Sequence, residues 1–226
     1  MSITAIIPVR AGSRRLKNKN IAPFGNSNLL LNKIEQLKQV PEVTQIVVSS
    51  DSDYMLDLAR KAGVKTHKRA LEYCDEKTKS FGEVVKHICE SVSGDHILWA
   101  TCTSPLVEPF MYSCAISDYF TNVVHGSYDS LVSFDMIKRY LWNDDGPLNY
   151  ELGVKHVPSQ QLPPLYIVTD GILIAPREKM IQWSYFHGRN PYRFIVDKRA
   201  AVDVDDGLDL LCARAWLNSE ELIIEK

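Results

Sequence analysis

The sequence predicts an α/β fold, built on a mainly parallel sheet with helices on both faces. Three observations predict it. Short apolar runs alternate with amphipathic stretches from residue 4 to residue 100, the pattern that a sheet covered on two sides requires. Several of these runs end in polar loops, the usual boundary of a strand. The length of 226 residues, with 45% apolar and 24% charged residues, suits one domain with an elaboration and a sizeable core.

Taken in order, Thr4 to Ile7 is a buried-strand candidate that runs into Pro8. Leu29 to Gln39 has apolar residues at 30, 34 and 37, the spacing of a helix face. Gln45 to Ser49 is β-branched and stops at Ser50-Asp51, as strands do. Asp53 to Ala62 reads as helix with Gly63 as its stop. Lys65 to His67 is a third short strand, Phe81 to Ser91 a helix, and Ile97 to Ala100 another apolar strand. The rhythm changes after about residue 130. Leu131 to Asp135 reads as strand, and 166–175 as a strand with Asp170-Gly171 inside it, where glycine signals a bulge or a close approach. Residues 139–165 between them are rich in Pro, Asn and aromatics, too long and too apolar for a solvated loop. They read as an arm inserted into a single domain of residues 1–226, packing on a partner subunit, over a site, or both. A last helix runs from Leu208 to Leu217.

Composition narrows the function. Lys and Arg total 26 against 28 Asp and Glu, a net charge of −2, which argues against a nucleic-acid binder. The five cysteines are dispersed, without metal-ligand spacing, and read as reduced thiols of a cytoplasmic protein. No charged region precedes the first apolar run and no stretch reaches about 18 apolar residues, so neither a signal peptide nor a membrane span is expected.

Against this acidic background, Arg10, Arg14, Arg15, Lys17 and Lys19 crowd together just beyond the first strand. In parallel α/β sheets ligands bind beyond the carboxyl ends of the strands. The loop after Ile7, the Ser49-Ser50-Asp51 loop and the Thr101-to-Pro105 loop should therefore meet at one site. Ala11 and Gly12 allow close backbone approach, Ser13 offers a hydroxyl and an N–H, and the cations would cradle a polyphosphate. A solvated basic turn is the plainer alternative, and neither a P-loop nor a GxGxxG pattern is present. Near the other end, Ala201-Val202-Asp203-Val204-Asp205-Asp206 places Asp203 and Asp205 on one face if it is extended. Paired carboxylates suit Mg²⁺, which takes one or two of them with phosphate oxygens and water. Asp206 would cap the helix after it. Cys102 has no partnered histidine and is no nucleophile candidate.

The stretch Pro8-Val9-Arg10-Ala11-Gly12-Ser13-Arg14-Arg15-Leu16-Lys17-Asn18-Lys19-Asn20-Ile21 resembles the opening motif of the sugar-nucleotide cytidylyltransferases, above all the acylneuraminate group. Arg15-Leu16 is similar instead to the ketodeoxyoctulosonate cytidylyltransferases. The resemblance continues through Val47-Val48-Ser49-Ser50-Asp51-Ser52, Arg69, Thr103-Ser104-Pro105-Leu106, Gln160-Gln161-Leu162-Pro163 and the closing Asp203/Asp205 motif. The chain departs from the pattern at Ala70 (usually Pro), Thr101 (usually Gln), Ser159 (usually Arg) and Asp170-Gly171 (usually Asn-Gly).

The resemblance implies a three-layer, Rossmann-like fold of the nucleotide-diphospho-sugar transferase type with a dimerisation arm. It implies transfer of CMP from CTP to the anomeric hydroxyl of an acidic 2-keto sugar, with release of pyrophosphate, in the making of a nucleotide sugar for surface polysaccharide. Arg10, Ala11, Gly12, Ser13, Arg15, Lys19, Asn20 and Arg69 would bind the nucleotide, with Arg10, Lys19 and Asp205 catalytic. Asp203 and Asp205 would hold Mg²⁺ or Mn²⁺, and Thr101, Ser104, Gln160, Gln161 and Asp170 would face the sugar. It further implies a homodimer, and leaves open whether the arm completes a neighbour's site. The departures at 101 and 159 leave the acceptor open among sialic, legionaminic, pseudaminic and other acids. A GT-A glycosyltransferase shares the metal and the D-x-D, but places that motif mid-chain and lacks the basic loop. A catalytically idle sugar-nucleotide sensor would not need Arg10, Lys19, Asp203 and Asp205 together.

Overall fold

A computed structural model describes residues 1–13, 15–74 and 77–218; Arg14 lies outside the described residues. Strands β1 (Ile3–Pro8), β2 (Val43–Ser50), β3 (Lys65–Lys68), β4 (His96–Trp99), β5 (Ser130–Ile137), β6 (Leu165–Pro176) and β7 (Pro191–Val196) form one sheet. Its order is β7-β5-β6-β4-β1-β2-β3. Neighbours pair in parallel except around β6, which is antiparallel to both β4 and β5. The mainly parallel sheet read from the sequence is therefore present.

Helices α1 (Leu29–Lys38), α2 (Asp53–Lys61), α3 (Phe81–Glu90), α4 (Pro109–Tyr119), α5 (Arg177–Trp183) and α6 (Gly207–Asn218) cover it. Successive strand residues enter opposite cores, as the strand's alternation demands. Ala5 and Ile7 pack with residues of α1, α2, α4 and α6, whereas Ile6 packs with Val85 and Ile88 of α3 and Met180 of α5. Each fully buried aliphatic side chain contributes about 1.5–3 kcal/mol of transfer free energy, so strands buried on both faces anchor the loops at their ends.

Local signals fix the helix starts. Asn28 accepts from the Leu31 N–H at 3.0 Å, Ser52 caps α2, and Ser80 with Glu83 forms a reciprocal capping box on α3. Gly63 takes the left-handed φ of +77° just beyond α2, the stop expected of it. The structure adds α4, α5 and β7, for which the sequence pattern raised no expectation. Helix α4 carries apolar residues around its circumference and lacks a clear stripe, while β7 opens on Pro191 at the sheet edge.

Residues 138–164 leave the sheet between β5 and β6. They contain a two-residue strand pairing (Trp142–Asn143 with Gly146–Pro147) and short turns at Gly153–Lys155 and Ser159–Gln161. Tyr140 stacks on His156 at 4.9 Å, and Asn149 bonds the backbone of Leu141 and Arg139. Trp142, Leu148, Leu152 and Val154 stay exposed. No helix among the described residues is long and apolar enough to cross a membrane.

Lys33 lies on the inner stripe of α1 with Leu29, Leu30, Ile34 and Leu37, and is fully buried. Its Nζ donates to the Tyr112 hydroxyl at 2.7 Å. Burial lowers its pKa to about 7, with Cys102 opposing, because the charged amine loses its water. Between pH 7 and 10.5 the unfolded chain binds more protons at this position, so stability rises with pH over that window. Below pH 7 the penalty is fully present. Lys33→Met is therefore expected to be more stable than wild type at pH 7, the gap closing at up to about 1.4 kcal/mol per pH unit as pH rises. Denaturant unfolding at pH 7, 8 and 9 measures it, and a gap independent of pH would contradict this account.

Candidate active site

A cleft of about 470 Å³ opens beyond the carboxyl ends of β1 and β4. Hydrogen bonds join the three loops, with Cys102 Sγ of the third donating to Asn20 Oδ1 at 3.4 Å, but only the first and third line the cleft. The Val9 N–H donates to Ser49 O at 3.0 Å and the Arg69 N–H to Ser50 O at 2.8 Å. Asp51 Oδ1 accepts the Ala11 N–H at 2.9 Å, and Asn20 Nδ2 donates to Arg10 O at 3.0 Å. Gly12 turns the loop with φ +76° and Asn18 with φ +57°, values that glycine and asparagine adopt at least cost. Arg10 reaches Cys74 O at 3.0 Å. Arg69 is buried and donates to Val9 O, its Nε lacking a partner. Burial lowers the Arg69 pKa, and nearby Arg10 adds to that, against Cys74 and Asp51.

Facing the loop stands the acidic motif. Val204 is buried and its N–H donates to Thr103 O at 2.7 Å, which pins the motif to the loop after β4. Residues 202–205 form no strand; this backbone anchor, rather than a pleat, positions the two carboxylates. Asp205 bonds Arg15 at 2.7 Å and Lys19 at 3.0 Å. Burial opposes its ionisation, but Lys19 and Arg15 outweigh that and hold its pKa below the usual range. Asp203 differs: its Oδ1 is buried without a hydrogen-bond partner. Burial raises its pKa, Thr103 opposes, and the Asp205 charge adds to the rise. Asp206 Oδ1 accepts the Leu208 and Asp209 N–H groups at 2.8 and 3.1 Å, so it caps α6 as expected.

A third carboxylate belongs to the same field. Asp170 lies open to the cleft on one side, yet the protein around it raises its pKa, with Asp203 and Asp205 adding and Lys19 opposing. The Thr101 hydroxyl donates to Asp170 O at 2.9 Å. The strand register breaks between Val168 and Leu173, the bulge that Gly171 signalled. A Cβ on Gly171 would stand 2.8 Å from Val107 Cγ2, so the approach of the two loops needs glycine.

Arg10, Ser13, Arg15, Lys19, Asn20, Arg69, Thr101 and Asp170 all line the cleft. Ala11 and Gly12 shape its rim loop. Ser104 is buried, its hydroxyl 3.2 Å from that of Thr101, just behind the residues that line the cleft. Gln160 and Gln161 sit exposed in the arm, outside this chain's cleft. Tyr73, Lys79, Phe81, Val84, Trp99 and Phe186 complete the wall, and no sequence motif singled them out. Cys102 is buried against Asn20, and burial pushes its thiol up to about 12, so it is no nucleophile.

Residues 4–140 match the family model for cytidylyltransferases. The chain belongs to the cytidylyltransferase family. Among curated relatives, this family member is 27% identical over 228 residues to an N-acylneuraminate cytidylyltransferase of Escherichia coli, covering 92% of the chain and 50% of that protein. It is 22% identical to a pseudaminic acid cytidylyltransferase of Campylobacter jejuni, covering 95% of each. It spans about half the length of the N-acylneuraminate cytidylyltransferases it matches. Its fold is shared with a CMP:2-keto-3-deoxy-manno-octonic acid synthetase solved with CTP, at TM-score 0.71 and 13% identity, covering 98% of this chain and all of that one. A 4-diphosphocytidyl-2C-methyl-D-erythritol synthase of Anaerococcus prevotii has TM-score 0.66 and 12% identity, each chain covered to 96%.

Proposed function

We propose that the chain transfers CMP from CTP to the anomeric hydroxyl of an acidic 2-keto sugar, sialic acid or a related nonulosonic acid, and releases pyrophosphate. The observation that carries this reading is the meeting of Arg15 and Lys19 with Asp205, beside the unpartnered carboxylate oxygen of Asp203. Two cations held at one carboxylate, with a second carboxylate oxygen unpartnered beside it, are a site prepared for a triphosphate and a divalent ion together.

The sugar hydroxyl attacks the α-phosphorus, the new O–P bond forms, and the bond to the β-phosphate oxygen breaks. Negative charge moves onto the departing pyrophosphate, and catalysis of this kind is chiefly alignment and charge stabilisation. Arg10, Arg15 and Lys19 hold the triphosphate, with Ser13 adding a hydroxyl or N–H. Asn20 and Arg69 face the cytidine, while Thr101 and Asp170 face the sugar. Asp203 and Asp205 fit Mg²⁺ or Mn²⁺: Asp203 Oδ1 is a buried acceptor that lacks a donor. Among the described residues no three acidic, histidine or cysteine side chains gather as a protein-only metal cage, in keeping with an ion that shares its coordination with phosphate and water. Such an ion, when bound, would polarise the phosphate and make the acceptor hydroxyl easier to deprotonate.

The exposed apolar residues of 138–164 support a homodimer joined through the arm, which would carry Gln160 and Gln161 to the neighbouring cleft. A cytoplasmic place fits the free thiols. The test is a pyrophosphate-release screen of CTP, with other nucleoside triphosphates as controls, against a panel of acidic 2-keto sugars. Release is expected only with CTP and a sugar together. CTP binding without turnover on any acceptor would overturn the reading.

A further inference from the structure

The acceptor end of the cleft rests on a bulge that the sheet ladder does not hold. Between Val168 and Leu173 the register of β6 breaks, and apart from a long Thr101 N–H bond to Asp170 O at 3.4 Å the backbone of residues 169–172 is held by side chains. Ser133 Oγ donates to Thr169 O at 3.1 Å and accepts the Ile172 N–H at 3.0 Å. Thr101 Oγ1 donates to Asp170 O at 2.9 Å. Gly171 O accepts from the Tyr112 hydroxyl at 3.2 Å, and that hydroxyl accepts in turn from Lys33 Nζ at 2.7 Å.

The geometry points to Lys33 and Tyr112 as a buried positioning relay that sets the Asp170-Gly171 bulge for the acceptor sugar. Both side chains are fully buried, in α1 and α4, and neither lines the cleft. A hydroxyl has one proton to give, and a partner that could accept it would compete with Gly171. As an ammonium Lys33 offers only N–H donors to the hydroxyl oxygen, which leaves that proton for the Gly171 carbonyl; above pH 7 the neutral amine gains a lone pair that competes for it. A buried amine is a costly occupant of an apolar stripe, where a residue of similar length without the nitrogen would pack at lower cost. The polar choice has a structural consequence at the cleft. Val107 and Ser104 crowd the space where a Gly171 side chain would stand, so that close approach, the relay and the Thr101 bonds together fix where the Asp170 carboxylate stands.

This role rests on the transfer reaction proposed above, and two isosteric variants test it. Lys33→Met and Tyr112→Phe keep the volume and remove one polar group each. With CTP saturating and the acceptor varied, each is expected to lower kcat/KM for the acceptor by roughly tenfold to a hundredfold, the cost of a small misplacement. The KM for CTP is expected to stay within about twofold of wild type. Because the groups act in series, the double variant should be no worse than Tyr112→Phe alone. Wild-type acceptor kinetics in either variant, additive losses, or equal losses for CTP and acceptor would overturn the relay. Should Lys33→Met fail to fold, Tyr112→Phe decides alone by the same split. A wild-type chain that turns over no acceptor overturns the transfer reading, and the relay with it; normal wild-type turnover with indifferent variants overturns the relay only.

Discussion

Asp205→Asn is expected to lower kcat by at least about 100-fold, the scale of losing one preorganised charge at a reacting phosphate, while the KM for CTP stays level or falls. The direction of the KM change comes from the ion pairs. In the free protein Asp205 neutralises Arg15 and Lys19, and its removal leaves both cations available to the triphosphate. A loss confined to kcat marks an interaction made in the transition state rather than in nucleotide binding. The fold should persist, because the backbone there is held by Val204 on Thr103 and by the Asp206 and Asp209 caps. Steady-state kinetics with circular dichroism measure both halves, and wild-type kcat would remove Asp205 from the reaction.

Lys19→Ala should do the opposite, raising the KM for CTP by roughly tenfold to a hundredfold, as expected for a charge-assisted hydrogen bond worth about 1.5–3 kcal/mol. Lys19 is the stronger candidate of the pair facing Asp205. Its side chain is 15% exposed against 66% for Arg15, so water screens it less. Arg15→Ala should accordingly weaken CTP by less than Lys19→Ala. An unchanged CTP dependence in Lys19→Ala would take this residue out of the triphosphate site.

Much of the sheet was legible because its strands are short, apolar and punctuated by polar loops. The Asp206 cap, the Gly63 stop and the Gly171 bulge were legible from local signals, whereas the caps at Ser52 and Ser80 were not read from the sequence. Helix α4 was not: Tyr112, Ala115, Ile116 and Tyr119 are buried on it, yet apolar residues on its other sides blur the stripe that reveals a helix. Strand β7 begins with proline and lies at an edge, where the strand pattern is weakest. In the site, the basic loop and the Asp203/Asp205 motif stood out because charge concentrated beside a strand end needs a partner. The wall of Tyr73, Phe81 and Phe186 did not stand out, since apolar residues scattered over more than one element look like core until the fold brings them to one cleft. Lys33 was illegible in a harder sense. In sequence it is one more lysine on an amphipathic helix, and only its burial against Tyr112 separates it from a surface residue.

The work proposed for this cleft is to join CMP to an acidic acceptor by attack at the α-phosphorus of CTP. Phosphorus NMR of the chain with CTP, Mg²⁺ and a productive 2-keto acidic sugar tests it most directly. Equal amounts of pyrophosphate and of a new phosphodiester signal that links cytidine to the sugar are expected. Release of CDP or orthophosphate, or pyrophosphate formed without a sugar-linked CMP, would contradict it.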